Sequence, residues 1–81
     1  MSAELVNHLA TVYLNHDDVD IKEASLLLVS GILSLDRQSF TKEEVSESLT
    51  KALPPLLQYA LQPDIPEEVK TSIARIANFV Q

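Results

Sequence analysis

Three times in this chain a capping side chain stands three residues ahead of a glutamate: Asp20 and Glu23, Thr41 and Glu44, Asp64 and Glu67. At that spacing the first side chain accepts from a backbone N–H of the opening turn. The glutamate reaches back to the capping residue's own N–H. Together they satisfy donors that every helix start leaves bare. Apolar residues at intervals of three and four follow each pair, the period of a helix with one buried face. The pattern predicts an all-α chain.

Four helices are expected. The first runs from about Ala3 to Asn15 with Ser2 as N-cap, and its apolar face is Leu5, Val6, Leu9, Val12 and Tyr13. The second runs from about Ile21 to Leu35. Its run Leu26-Leu27-Leu28-Val29 points in all directions around the axis. A helix apolar on every side is either central in a bundle or part of an interface, and the expectation is a central helix. Ser25, Ser30 and Gly31 would let a neighbouring backbone approach. Gly31→Leu is then expected to overpack that contact.

The third helix has the strongest start. Thr41 and Glu44 form a capping box, and Phe40 and Val45 occupy the positions of a hydrophobic staple. Val45, Leu49, Leu53, Leu56 and Ala60 continue in phase. Pro54-Pro55 interrupts them, and proline inside a helix removes a donor and crowds the preceding turn. The helix is expected to be kinked or broken there. The last helix runs from about Pro66 to Val80, with Pro66 in its first turn and Ile65, Val69, Ile73, Ile76, Ala77 and Val80 on one side. The expected fold is a compact antiparallel four-helix bundle, one domain over residues 1–81.

At 81 residues, without cysteine, no disulfide can support the core. Chains this short bury a limited share of their surface, so a homodimer is one way to complete the core. Acids outnumber bases twelve to six, and the bases Lys22, Arg37, Lys42, Lys51, Lys70 and Arg75 are scattered. No basic stripe exists to meet phosphates, so nucleic acid is not the expected partner. An anionic membrane surface would repel the chain. The stretch Ser25 to Leu35 is about half the length needed to span a bilayer, and the first residues lack a basic and an apolar leader region. A cytoplasmic protein with no membrane insertion is expected.

His16, Asp17, Asp18 and Asp20 are the densest group of metal-ligand types, yet they lack the glycine and closing glutamate of a calcium loop. They read as a solvated link whose acids favour the next helix start. His8 and His16 find no obvious third zinc ligand. No serine stands in a nucleophile elbow, and one glycine cannot build a phosphate loop. The expectation is a non-catalytic protein with no catalytic residue, no cofactor and no metal, whose partner is another protein. Tyr13, Tyr59 and Phe79 are the candidate partner-binding residues, because half-buried aromatics present a polar tip or a ring edge. Phe79 lies off the main stripe of its helix, as an exposed contact or folded back on the end of the first helix.

A faint echo at a spacing of 48 pairs Leu5 with Leu53, Leu9 with Leu57, Ile21 with Val69, Lys22 with Lys70 and Leu28 with Ile76. Duplication and chance alignment of amphipathic helices both produce such pairs. Leu26 to Ile73 resembles the small immunity proteins of class IIa, enterocin A-type bacteriocin producers. The residues that carry this are Leu33-Ser34-Leu35-Asp36, then Val45, Leu49 and Leu53, then Tyr59, then Ile65-Pro66-Glu67-Glu68-Val69. That resemblance implies a four-helix bundle that protects the producer cell from inside, at a membrane sugar-transporter receptor. Leu53-Pro54-Pro55-Leu56-Leu57 and Glu68-Val69-Lys70 instead look like the two helix starts of a HEAT-type hairpin, with Ile21-Lys22 as the earlier counterpart. That resemblance implies a helical scaffold or adaptor; a small dimeric regulator is a further alternative.

Overall fold

The computed structural model describes residues 2–35 and 37–81. Met1 lies outside them, as does Asp36, which closes the Leu33-Ser34-Leu35-Asp36 run. The described residues form α1 (Ser2–Val12), α2 (Val19–Leu35), a short 3-10 turn (Arg37–Ser39), α3 (Lys42–Ala60) and α4 (Glu67–Val80), with no β-strand among them. They build a four-helix bundle in which consecutive helices run antiparallel. Its radius of gyration is 11.5 Å, close to the roughly 12 Å expected of a compact chain this long.

The Thr41 start is built as its sequence predicts. Thr41 Oγ1 accepts from the Glu44 N–H at 3.3 Å, and Glu44 Oε1 accepts from the Thr41 N–H at 2.7 Å. Phe40 and Val45 are both buried. The other two starts differ from expectation. α2 begins two residues before the predicted Ile21, capped by Asp18, whose Oδ1 accepts from Asp20 N at 2.9 Å and Ile21 N at 3.4 Å. Glu23 does not return to Asp20: Asp20 lies inside the helix with its N–H held by Asp18, and Glu23 accepts the Tyr59 hydroxyl at 2.6 Å. Asp64 caps nothing. α4 starts after Pro66, whose extended ψ of 144° places it just outside the helix rather than in its first turn. The Pro66 carbonyl accepts from Val69 N and Lys70 N, both at 3.1 Å.

α3 does not break at Pro54-Pro55; it is one helix through both. The two prolines withhold donors from the carbonyls of Thr50 and Lys51. Both residues are exposed, so water can serve those carbonyls. The apolar stripe Val45, Leu49, Leu53 and Leu56 stays buried across the interruption. Asn15 Nδ2 donates to the Ala52 carbonyl at 3.2 Å, which ties the end of the first hairpin to α3 just before the prolines. Burial of the continuous stripe outweighs the local cost.

The helices pair as two hairpins laid side by side. Asn7 Nδ2 donates to the Glu44 carbonyl at 2.9 Å, and Asn15 makes the same kind of bond to Ala52. Both bonds span 37 residues, so α1 and α3 run in the same direction. Arg75 donates to Ser30 Oγ at 2.9 Å across 45 residues. Leu33 and Ser34 lie with Asn78 and Phe79 at the same offset around one cleft, so α2 and α4 also run together. α2 packs on α1 and α4, and α3 on α1 and α4. The helix expected at the centre therefore stands on the rim, with one side left open.

The hairpins share their boundaries. α1 ends at Val12 and α3 at Ala60, 48 residues later; α2 starts at Val19 and α4 at Glu67, again 48 later. The spacing of the sequence echo is thus the spacing of the two turns. The α1–α3 hydrogen bonds have an offset of 37 and the α2–α4 bond one of 45, so the residues that face each other across the hairpins are not those paired by the echo.

Candidate functional site

The inner face of α2 is Leu26, Val29, Ser30 and Leu33, all buried. Ser30, only 1% exposed, is small enough to admit α4 and accepts from Arg75. The opposite side carries Ile21, Ala24, Leu27, Leu28, Gly31, Ile32 and Leu35. Leu28 is 49% exposed and Leu35 is 90% exposed. Leu27, Leu28, Gly31, Ile32 and Leu35 line a shallow depression of about 310 Å³. A Cβ placed on Gly31 would meet nothing within 4 Å. Gly31 therefore faces outward, into open space, and not into a helix contact. The sequence places no charged residue between Ala24 and Leu35.

α1 extends this surface. Leu5 and Val12, assigned to the core by spacing, are 44% and 47% exposed. The reason lies in how α1 is turned. Its core face is Ala3, Val6, Leu9 and Ala10, with buried Leu14 just beyond its end. At 100° per residue, Leu5 and Val12 fall on the flank opposite Asn7, which is tied to α3. They therefore face away from α3. On α2, Ile21, Leu28 and Leu35 likewise fall opposite the Ser30 flank that meets α4, and so face outward. Seven residues apart on each helix, they form one apolar outer face on the first hairpin. Patches of this kind are uncommon on a small monomer unless something binds there.

The three aromatic candidates are half-buried against the core and are not gathered in one place. Tyr13 sits between two histidines that sequence spacing did not join. His8 meets its ring edge-on at 5.6 Å and 72°, and His16 stacks on it at 6.2 Å and 21°. Tyr59 stands at the same end of the bundle. The Lys22 ammonium lies 4.2 Å above its ring, and its hydroxyl donates to Glu23. That hydrogen bond raises the Tyr59 pKa to about 12, with burial and the Glu23 charge adding in the same direction. Phe79 is at the far end. It packs on Phe40, ring centres 6.1 Å apart, instead of on α1 or free in solvent.

In the link between α1 and α2, His16 Nδ1 accepts from Asp18 N at 2.9 Å and Asp18 caps α2. These groups organise the turn. Among the described residues no three His, Cys, Asp or Glu side chains converge as metal ligands, and no helix is long and apolar enough to cross a membrane. No protein family, curated protein or solved structure matches this chain.

Sequence reasoning identified α2 as apolar all round but placed it at the centre. The signal that favoured the interface alternative was the charge-free run from Ala24 to Leu35, because a central helix of a small bundle still shows one polar strip to water.

Proposed function

We propose that this chain is a non-catalytic protein-binding module, a pair of stacked helical hairpins that engages its partner through the outer face of the first. One observation carries the reading. Leu5, Ile21 and Leu28 are exposed, whereas their counterparts 48 residues on, Leu53, Val69 and Ile76, are buried. Leu9 and Leu57 show the reverse: Leu9 is buried and Leu57 exposed. That exchange is what a two-layer stack produces. Positions that look back toward a preceding layer are covered in the second hairpin and bare in the first. The outer face thus has the side-chain pattern of a surface that receives helices. The HEAT-like scaffold resemblance draws on the same relation, although Leu53-Pro54-Pro55-Leu56-Leu57 lies inside α3, which opens at Lys42, and is not a helix start. The partner in this reading is another protein rather than nucleic acid, and the setting is the cytoplasm.

A photo-crosslinking residue at position 28, introduced in the protein's own cells, tests the reading. Adducts are expected from position 28 and not from position 43 on α3. Equal labelling from both, or none from 28, would remove it. The immunity resemblance finds support in the four helices and in Ile65-Pro66-Glu67-Glu68-Val69 leading into α4. It predicts that expression protects a sensitive strain from a pediocin-like peptide, and unchanged killing would exclude it.

A further inference from the structure

We infer that the partner on this face is a second copy of the chain, packed back to back through the two α1–α2 hairpins about a twofold axis. The inference rests on the protein-binding reading above and specifies its partner. Charge argues for it first. The chain carries a net charge of -6, so two copies repel over most of their surfaces. The face around Leu28, Gly31 and Leu35 is the stretch of helix where they can meet without opposing like charges, because Ala24 to Leu35 holds none. A twofold contact sets each residue near its own equivalent, which suits an uncharged surface and penalises a charged one.

Shape argues next. Open space above Gly31 makes a notch between the exposed leucines of α2. Two α2 helices crossing near this notch can approach closely, with leucines of each copy seated beside the other's glycine. Stacking head to tail is the alternative, with the second hairpin of one copy on the first of another. That arrangement would cover the exposed, charged surface of α3 and α4, where Glu43, Glu47, Lys51 and Glu67 stand. It would also leave a free end at each step and grow into a filament. Apart from Leu57 and Leu61, the exposed side chains of the second hairpin include no large apolar residue among those described, which suits a terminal layer of a stack.

Area sets the strength. A hairpin face about 25 Å long and about 20 Å wide offers roughly 500 Å² per copy, below the standard interface of about 800 Å² per partner. The dimer is therefore expected to be weak, with a dissociation constant in the micromolar range.

Sedimentation velocity from low micromolar to millimolar protein tests this. The wild-type chain should pass from monomer to dimer and stop there. Leu28→Asp and Leu35→Glu should each weaken the dimer by about a hundredfold or more, since each buries a charge opposite its twin. Leu57→Asp, on the second hairpin, should dimerise like the wild type. Far-UV circular dichroism confirms that the variants remain helical. Leu35→Glu, at a position already exposed, keeps the test open if Leu28→Asp unfolds. A wild-type monomer at millimolar concentration, a dimer indifferent to both variants, or growth past the dimer would each overturn the inference. Crosslinking from position 28 to a different protein, with a wild-type chain that stays monomeric, would sink self-pairing alone and leave the protein-binding reading standing.

Discussion

Gly31→Ala should stabilise the monomer, although the sequence alone suggests that any side chain there would crowd a neighbouring helix. Glycine in a helix interior costs about 1 kcal/mol relative to alanine, because it loses more backbone freedom on folding. That gain appears only if the new methyl group meets no obstacle. Gly31 lies within α2, and a Cβ there has no atom within 4 Å, so no packing penalty opposes the propensity term. In a domain of this size about 1 kcal/mol corresponds to a rise in Tm of roughly 4–8 °C.

Thermal and urea unfolding followed by circular dichroism measures the difference, at the lowest workable protein concentration so that self-association does not contribute. Leu26→Ala provides the contrast in the same helix. Leu26 is fully buried, and truncation there should cost about 2–5 kcal/mol through lost burial and the cavity left behind. A Tm for Gly31→Ala below that of the wild type would refute the reasoning. It would mean that α2 presents its glycine to another helix, and the outward orientation of Leu28 and Leu35 would fall with it.

Thr41→Ala and Asp18→Ala should each destabilise by about 1 kcal/mol through loss of a helix cap, whereas Asp64→Ala should leave urea midpoints unchanged; equal losses at Asp18 and Asp64 would contradict the observed caps. Tyr59 keeps its proton longer in the folded chain than in the unfolded one. The stability this contributes is complete below pH 10 and declines as the pH rises toward about 12, so Tyr59→Phe should flatten the wild-type fall in stability over that window. A fall of the same size in both proteins would show that Tyr59 does not govern the alkaline limb.

The fold class was legible in the sequence because it depends on local signals that agree with one another. Thr41-x-x-Glu44 with Phe40 and Val45 reads unambiguously, and the structure builds it in full. The Asp20-Glu23 and Asp64-Glu67 pairs have the same spacing and do not cap. Glu23 is engaged by a tyrosine 36 residues away, and Pro66 adopts an extended ψ ahead of α4. Pro54-Pro55 is the opposite case. A strong local breaker is overruled by a buried stripe and by exposed carbonyls that water can reach. The apolar outer face was only half legible. Periodicity shows that α2 has two apolar sides but not which one meets the rest of the chain, since that depends on how α1 and α4 are placed beside it.

The same relation explains why spacing misassigned Leu5 and Val12 to the core. Leu5 has the residue type of its counterpart, the buried Leu53, and Leu28 that of a position matched by the buried Ile76. Their chemistry belongs to a layer with helices on both sides, while a chain of two hairpins supplies helices on one side only. A sequence adapted to a free-standing pair would need charged or polar residues at Leu5, Ile21, Leu28 and Leu35, as the second hairpin has at Glu43, Glu47 and Glu67. The two ends of the stack thus differ: large apolar side chains crowd the outer side of the first hairpin, and the second exposes Leu57 and Leu61 among charged residues. That difference is the ground for the proposal that a partner covers the first hairpin.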